Sequence, residues 1–166
     1  MTVNLKSLSY REKVVWINLI VSVAVFAYYF LSVLLNGLDG GQATWLYLKV
    51  VFFAIMAEII LISILSARDK TAQDDERDRL YQLKGYRWGY GVVLAGLGIT
   101  LWQTLMLALG DSVSANPEMG EDVAQAITAF TDHASPFLII HIMLATLTLA
   151  EIVKSAVQLF YYRRGY

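Results

Sequence analysis

Four long apolar runs set the frame for this chain: residues 14–35, 44–66, 88–109 and 136–161. A helix rises about 1.5 Å per residue, so a run of about 20 residues crosses a hydrocarbon core of about 30 Å. Inside lipid every backbone N–H and C=O must find a partner within the protein, which restricts spanning segments to helices and closed barrels. Barrel strands would be about half as long as these runs. The expected fold is therefore all-α, an integral membrane four-helix bundle forming a single transmembrane domain over residues 1–166. Composition agrees: 57% of the 166 residues are hydrophobic and 16% are charged, against about 25% charged in an ordinary soluble domain.

Local signals punctuate the runs. Lys6, Arg11 and Lys13 precede the first one, as basic residues precede a secretory leader. The run is too long for a leader's apolar core and no convincing small-residue cleavage site follows, so it reads as an uncleaved span. Asn36-Gly37 and Gly40-Gly41 mark a short first loop. Pro136 suits the first turn of the fourth helix, where its missing N–H costs nothing.

Basic charge is distributed unevenly. Lys6, Arg11 and Lys13 lie before the first span, Arg68, Lys70, Arg77, Arg79, Lys84 and Arg87 between the second and third, and Arg163 and Arg164 after the fourth. The first and third loops contain no Lys or Arg, and the third carries Asp111, Glu118, Glu121, Asp122 and Asp132. By the positive-inside rule both termini and the second loop are expected in the cytoplasm of a bacterial cell, with the chain in its inner membrane and an acidic outer face.

The chain also reads as two tandem helical hairpins of the same orientation. Tyr10-Arg11 before the first span matches Tyr86-Arg87 before the third, and Ala57-Glu58-Ile59 in the second matches Ala150-Glu151-Ile152 in the fourth. Arg68 follows Glu58 by ten residues and Arg163 follows Glu151 by twelve, so the two glutamates are expected at similar depth. A parallel duplication is one explanation and coincidence among apolar helices is the other.

Several function classes are excluded or disfavoured. Without cysteine there is no disulfide, thiol chemistry, iron–sulfur cluster or cysteine-held zinc. A net charge of −1 gives no general attraction for nucleic acid, and no direct binding to it is expected. No HExxH, phosphate loop or nucleophile elbow occurs, so the chain is not expected to be an enzyme or to carry a cofactor. His133 with Asp132 or Glu121 is the nearest approach to a metal-ligand set, and no metal is expected.

Glu58 and Glu151 are the most informative positions. An ionisable group in the bilayer costs about 2.5 kcal/mol or more unless paired or hydrated, so it normally faces the bundle interior or a wet cavity. A proton relay, a cation site and an anchor for a polar ligand are all open to them, and so is a structural role, Lys154 being a ready partner for Glu151. His141, Thr148, Glu151, Ser155 and Gln158 form a polar stripe on the fourth span. Asn18, Ser22, Tyr29, Ser32 and Asn36 recur at similar spacing on the first. Thr100, Gln103 and Thr104, with Trp102 adjacent, lie near the middle of the third. These stripes suggest a polar seam; hydrogen bonding between helices would explain them equally. The candidate ligand, proton or cation site is thus Glu58, Glu151, His141, Asn18, Gln103 and Trp102. Lys49 reads as a cation snorkelling from the second span, on the face opposite Glu58.

Two segments outside the spans are expected to be helical. In the second loop Asp74 suits an N-cap, Asp75 and Glu76 suit the first turn, and Asp75 and Arg79 are spaced as an i,i+4 pair. Its spacing leaves two courses open, a separate helix and one continuous with the third span. The helix is either a solvated connector or a surface for a cytoplasmic partner, with Asp74, Asp75, Glu76, Arg77, Asp78, Arg79 and Arg87 as docking residues. In the third loop Val123, Ile127 and Phe130 recur at helical spacing, as in a helix lying on the membrane surface. Gly85-x-x-x-Gly89 and Gly91-x-x-x-Ala95 permit close helix approach, within the bundle or between the subunits of a homo-oligomer. Trp16, Trp45, Tyr47, Trp88, Tyr161 and Tyr162 fall where interfacial aromatic belts do.

Asp75-Glu76-Arg77-Asp78, followed by Tyr86-Arg87 and a span, resembles a segment of a group of uncharacterised bacterial membrane proteins often encoded beside a small helix-turn-helix regulator. The ending Glu151-Ile152-Val153-Lys154 through Phe160-Tyr161-Tyr162-Arg163-Arg164-Gly165 is similar to theirs as well. The resemblance covers about 20 residues in each region and implies a membrane component paired with a cytoplasmic transcription regulator. It carries over no activity. The expectation is a small inner-membrane sensor that binds a hydrophobic or amphipathic ligand, or responds to membrane lipid, and signals to that partner through residues 67–87. The alternatives are an oligomeric proton- or cation-coupled transporter or channel using the glutamates, and a structural subunit of a membrane complex.

Overall fold

A computed structural model of the chain describes residues 8–37, 40–68, 76–115, 121–131 and 135–164. Among these, every regular element is a helix: α1 (Tyr10–Asn36), α2 (Gly40–Arg68), α3 (Glu76–Ser114), α4 (Glu121–Thr131) and α5 (Pro136–Arg164). α1, α2, α3 and α5 are long and apolar enough to cross a membrane. The chain is thus all-α and consistent with a four-helix membrane bundle.

The helix ends follow from identifiable residues. Ser9 caps α1 in an extended conformation, its hydroxyl accepting from the Glu12 N–H at 3.1 Å. Ser9-Tyr10-Arg11-Glu12 has the spacing of a capping box. Gly37 closes α1 at φ 55° and ψ 43°, the left-handed conformation that only glycine adopts without strain. Pro136 opens α5 as expected, and the Ser135 hydroxyl before it accepts from the Leu138 N–H at 3.1 Å. The first turn of α3 carries Glu76 and Asp78, and the last turn of α5 carries Arg163 and Arg164. Both placements oppose the helix dipole favourably.

One expectation changes in detail: Gly40-Gly41 are not loop residues but begin α2. The charged segment before the third span does run on into it, as its sequence allowed. From Glu76 onward it forms the first turns of α3, which continues unbroken for 39 residues. Asp74 and Asp75, expected as cap and first turn, lie outside the described residues.

The chain divides into two compact units, residues 1–92 with 147–166, and residues 93–146. In the first, α1 packs along α2, Val15, Ser22 and Tyr29 forming a buried seam on α1 at seven-residue intervals. The start of α3 packs closely on the end of α5. A methyl group at Gly85 would lie 2.8 Å from the Lys154 carbonyl oxygen, and one at Gly89 would lie 3.1 Å from that of Ala150. The Gly85–Gly89 surface therefore serves a contact within the chain, whereas Gly91 faces open space. In the second unit Gly96 meets the Thr146 side chain, and Gly110 lies under Thr131 of α4. Met106, Leu144 and Thr131 are buried there, while Val123 of α4 is exposed.

Candidate functional site

The first unit contains a polar seam. On α5, Thr148, Ser155 and Gln158 are buried and Glu151 is half-buried. Glu151 is locally compensated: its carboxylate lies 2.6 Å from the Lys154 ammonium and accepts a long hydrogen bond, 3.5 Å, from Ser155. Lys154 also stands 5.1 Å from the centroid of the Tyr86 ring. Glu58, half-buried on α2, feels the charges of Glu151 and Lys154. It makes no hydrogen bond or ion pair of its own with the described residues. The structure thus brings the two glutamates into one electrostatic neighbourhood, with one cation held by only one of them.

Asn18 belongs to the same region by register. Tyr29 of α1 meets Tyr47 of α2 edge-on, ring centroids 6.4 Å apart. Asn18 precedes Tyr29 by eleven residues and Glu58 follows Tyr47 by eleven. Eleven residues are close to three helical turns, so on these antiparallel helices Asn18 and Glu58 recur on the sides that carry the tyrosines. The Asn18 Oδ1 is enclosed and has no hydrogen-bond partner among the described residues, as is the Trp16 Nε1.

The other residues expected at the site lie in the second unit. His141 is half-buried on α5 against Phe137, ring centroids 4.1 Å apart. Gln103 is half-buried on α3, and Trp102 beside it is 52% exposed. The hydroxyls of Thr100 and Thr104 donate to the carbonyls of Gly96 and Thr100, one turn back on their own helix. Those threonines are satisfied locally rather than across helices.

A further cluster ties the start of α3 to the end of α5. The Tyr162 hydroxyl donates to the Asp78 carboxylate at 2.7 Å, and Asp78 is buried. Tyr81, also buried, stacks on Tyr161 and meets Tyr162 edge-on. The Lys84 ammonium sits 4.1 Å from the Tyr161 ring centroid, and the Arg163 guanidinium 5.6 Å from that of Trp16. Asp78, expected as a docking residue, is therefore committed to an internal bond. Glu76, Arg77, Arg79 and Arg87 remain exposed on α3. Of the aromatics expected at the membrane interfaces, Trp45 and Trp88 are exposed, and Trp16, Tyr47, Tyr161 and Tyr162 also join contacts between helices.

A space that could hold a ligand is lined by residues outside the expected set. A groove of about 370 Å³ runs between α1 and α2, bounded by Ile20, Ala24 and Tyr28 on one side and Lys49, Phe53 and Ala57 on the other. A second hollow of about 310 Å³ shares Tyr28, Leu46 and Lys49 with it and adds Ser32, Asn36, Gln42 and Trp45. Together they form a trough that is apolar along the helices and polar toward the α1–α2 turn. Its small residues Ala24, Ala54 and Ala57 were the available sequence signal, and it is weak, since alanine is common in every span. Lys49 was legible as a membrane-embedded cation but not as part of a groove. Among the described residues no group of three metal-ligating side chains occurs. Compared with known proteins, the chain matches no family model, no curated protein and no solved structure.

Proposed function

We propose that the protein is a small bacterial inner-membrane sensor, with both termini and the segment before α3 in the cytoplasm. It takes up an amphipathic ligand along α1 and α2 and passes the change to a cytoplasmic partner, a transcription regulator being the kind that the resemblance implies. The observation that carries this reading is the trough, apolar at one end and polar at the other. Its volume lies in the range of about 300–1,000 Å³ usual for small-molecule sites. The unbroken course of α3 from Glu76 to Ser114 supports the second half. A single helix joins the charged segment to a membrane span, and the exposed Glu76, Arg77 and Arg79 would meet the partner.

The test is a photocrosslinking residue at Leu83, an exposed position on α3, used in intact cells. The expected result is an adduct with a cytoplasmic protein that is lost when Glu76, Arg77 and Arg79 are all changed to Gln. An adduct that persists in that variant would count against the docking surface.

One observation favours a second reading, a proton- or cation-coupled transporter. Glu58 has no pairing partner of its own among the described residues and shares the field of Lys154 with Glu151. Flux into liposomes that is abolished by Glu58→Gln would support it. Flux unaffected by Glu58→Gln and Glu151→Gln together would remove it.

A further inference from the structure

The trough has a charge pattern that narrows what it accepts. Lys49 is the only basic residue between Lys13 and Arg68, and among the described residues it is the one cation that lines the trough. It lies nine residues after Gly40, the start of α2, or about 14 Å along the axis. A hydrocarbon core of about 30 Å centred on this 29-residue helix leaves about 7 Å of helix beyond it at each end. The Lys49 backbone then sits some 7 Å inside the apolar layer, and its side chain must carry the ammonium outward to the headgroup level. The ammonium stands 5.2 Å from the centroid of Trp45, one turn nearer the start of α2, and no carboxylate pairs with it among the described residues. The hydroxyls of Tyr28 and Ser32 line the same mouth. A cation with no carboxylate partner among the described residues, hydroxyl-bearing residues beside it and an apolar trench beneath are the three elements that complement an anionic headgroup on an acyl chain.

We propose that this trough seats an anionic glycerophospholipid from the leaflet nearer the α1–α2 turn. Its phosphate lies on Lys49, and an acyl chain runs past Ala24, Phe53 and Ala57. The proposal rests on the amphiphile reading above and adds the ligand's chemistry. A zwitterionic lipid offers the same chain and phosphate, but its own cation competes with Lys49 for the phosphate and is repelled by the ammonium.

The experiment uses the full chain purified in a neutral maltoside detergent. It is titrated with phosphatidylglycerol or phosphatidylcholine of identical acyl chains, and retained lipid is counted by native mass spectrometry. The expected result is preferential retention of phosphatidylglycerol by about fivefold, the discrimination one basic side chain gives beside an anionic headgroup. Lys49→Gln should abolish the preference and Lys49→Arg should keep it. Ala54→Phe, which fills the trench, should lower retention of both lipids, and Ala57→Leu repeats that test with a smaller change. Equal retention of the two lipids by the unaltered protein, or a preference that survives Lys49→Gln, overturns the proposal while leaving an amphiphile site intact. Undiminished retention of both lipids by Ala54→Phe and Ala57→Leu overturns the trough as a site, and the amphiphile reading with it.

Discussion

Replacing Gly85 by alanine should weaken the protein, although alanine is the better helix former. The added Cβ would lie 2.8 Å from the Lys154 carbonyl oxygen, 2.7 Å from the Gln158 Nε2 and 2.5 Å from the Gln158 Cγ. Gln158 is 4% exposed, so its side chain has little room to swing away. The carbonyl is backbone, so restoring an ordinary contact of 3.4 Å requires α5 to withdraw by roughly 0.6 Å. Overpacking of this kind costs about 1–3 kcal/mol. Against it stands a gain of up to about 1 kcal/mol from replacing glycine inside a helix. Gly91→Ala supplies the reference, because a Cβ there meets nothing within 4 Å. Both positions are interior to α3, so the propensity gain largely cancels in the comparison. Gly85→Ala should then be less stable than Gly91→Ala by about 1–3 kcal/mol. Unfolding in mixed micelles titrated with dodecyl sulfate, followed by circular dichroism, measures the difference. If the two variants agree within about 0.5 kcal/mol, the ordinary scatter of uncoupled substitutions, the close α3–α5 contact is refuted.

Two further substitutions address the buried polar groups by the same titration. Tyr162→Phe removes the donor that lies 2.7 Å from the buried Asp78 carboxylate, and should cost about 1.5–3 kcal/mol, the range for a hydrogen bond to a charged group; no measurable loss would mean the bond contributes nothing. Asn18→Leu replaces a side chain whose Oδ1 is enclosed without a hydrogen-bond partner among the described residues. It should be neutral or stabilising by up to about 2 kcal/mol, the penalty of an unmet buried acceptor, whereas a clear loss of stability would show that Asn18 supplies a contact the protein needs.

The four spans were legible because length and hydropathy alone decide whether a segment can satisfy its backbone in lipid. The continuity of α3 was only half legible. Charge patterning placed a helix before the third span, but nothing local distinguishes a joint from an unbroken helix until Glu76–Ser114 is seen as one element. The polar stripe of α5 was readable from spacing, since Thr148, Ser155 and Gln158 do turn inward. The same reasoning applied to α3 joined Trp102 to the site although it faces outward, because a short polar cluster fixes a helix face less well than a stripe of several turns. Asp78 could not be told from its neighbours: a carboxylate in a charged segment looks solvated until its partner, 84 residues away, is known. The trough was hidden for a related reason. It is made by small residues on two helices, and emptiness between helices leaves little mark on either sequence.

The α1–α2 pair carries two different environments on adjoining faces, and α2 places them one residue apart. Ala57 lines the trough, and Glu58 next to it lies in the field of Glu151 and Lys154. Successive residues point about 100° apart on a helix, so a ligand in the trough presses on Ala57 without touching Glu58. Helices are stiff over a turn, however, and a push on Ala57 that rolls or shifts α2 moves Glu58 with it. Glu151 stays with Lys154 because their pairing is internal to α5. On the proposed reading, the coordinate that changes with occupancy is the separation of Glu58 from that pair. Occupancy of the trough and the electrostatic state of Glu58 are in that case linked through one turn of α2. By linkage, if occupancy of the trough changes the proton affinity of Glu58, protonation of Glu58 changes the affinity of the trough by the same factor. Sensor and proton- or cation-coupled readings then describe two ends of the same helix movement, and Glu58→Gln separates them. In a sensor it shifts lipid retention and leaves no flux to lose, whereas in a transporter it abolishes flux.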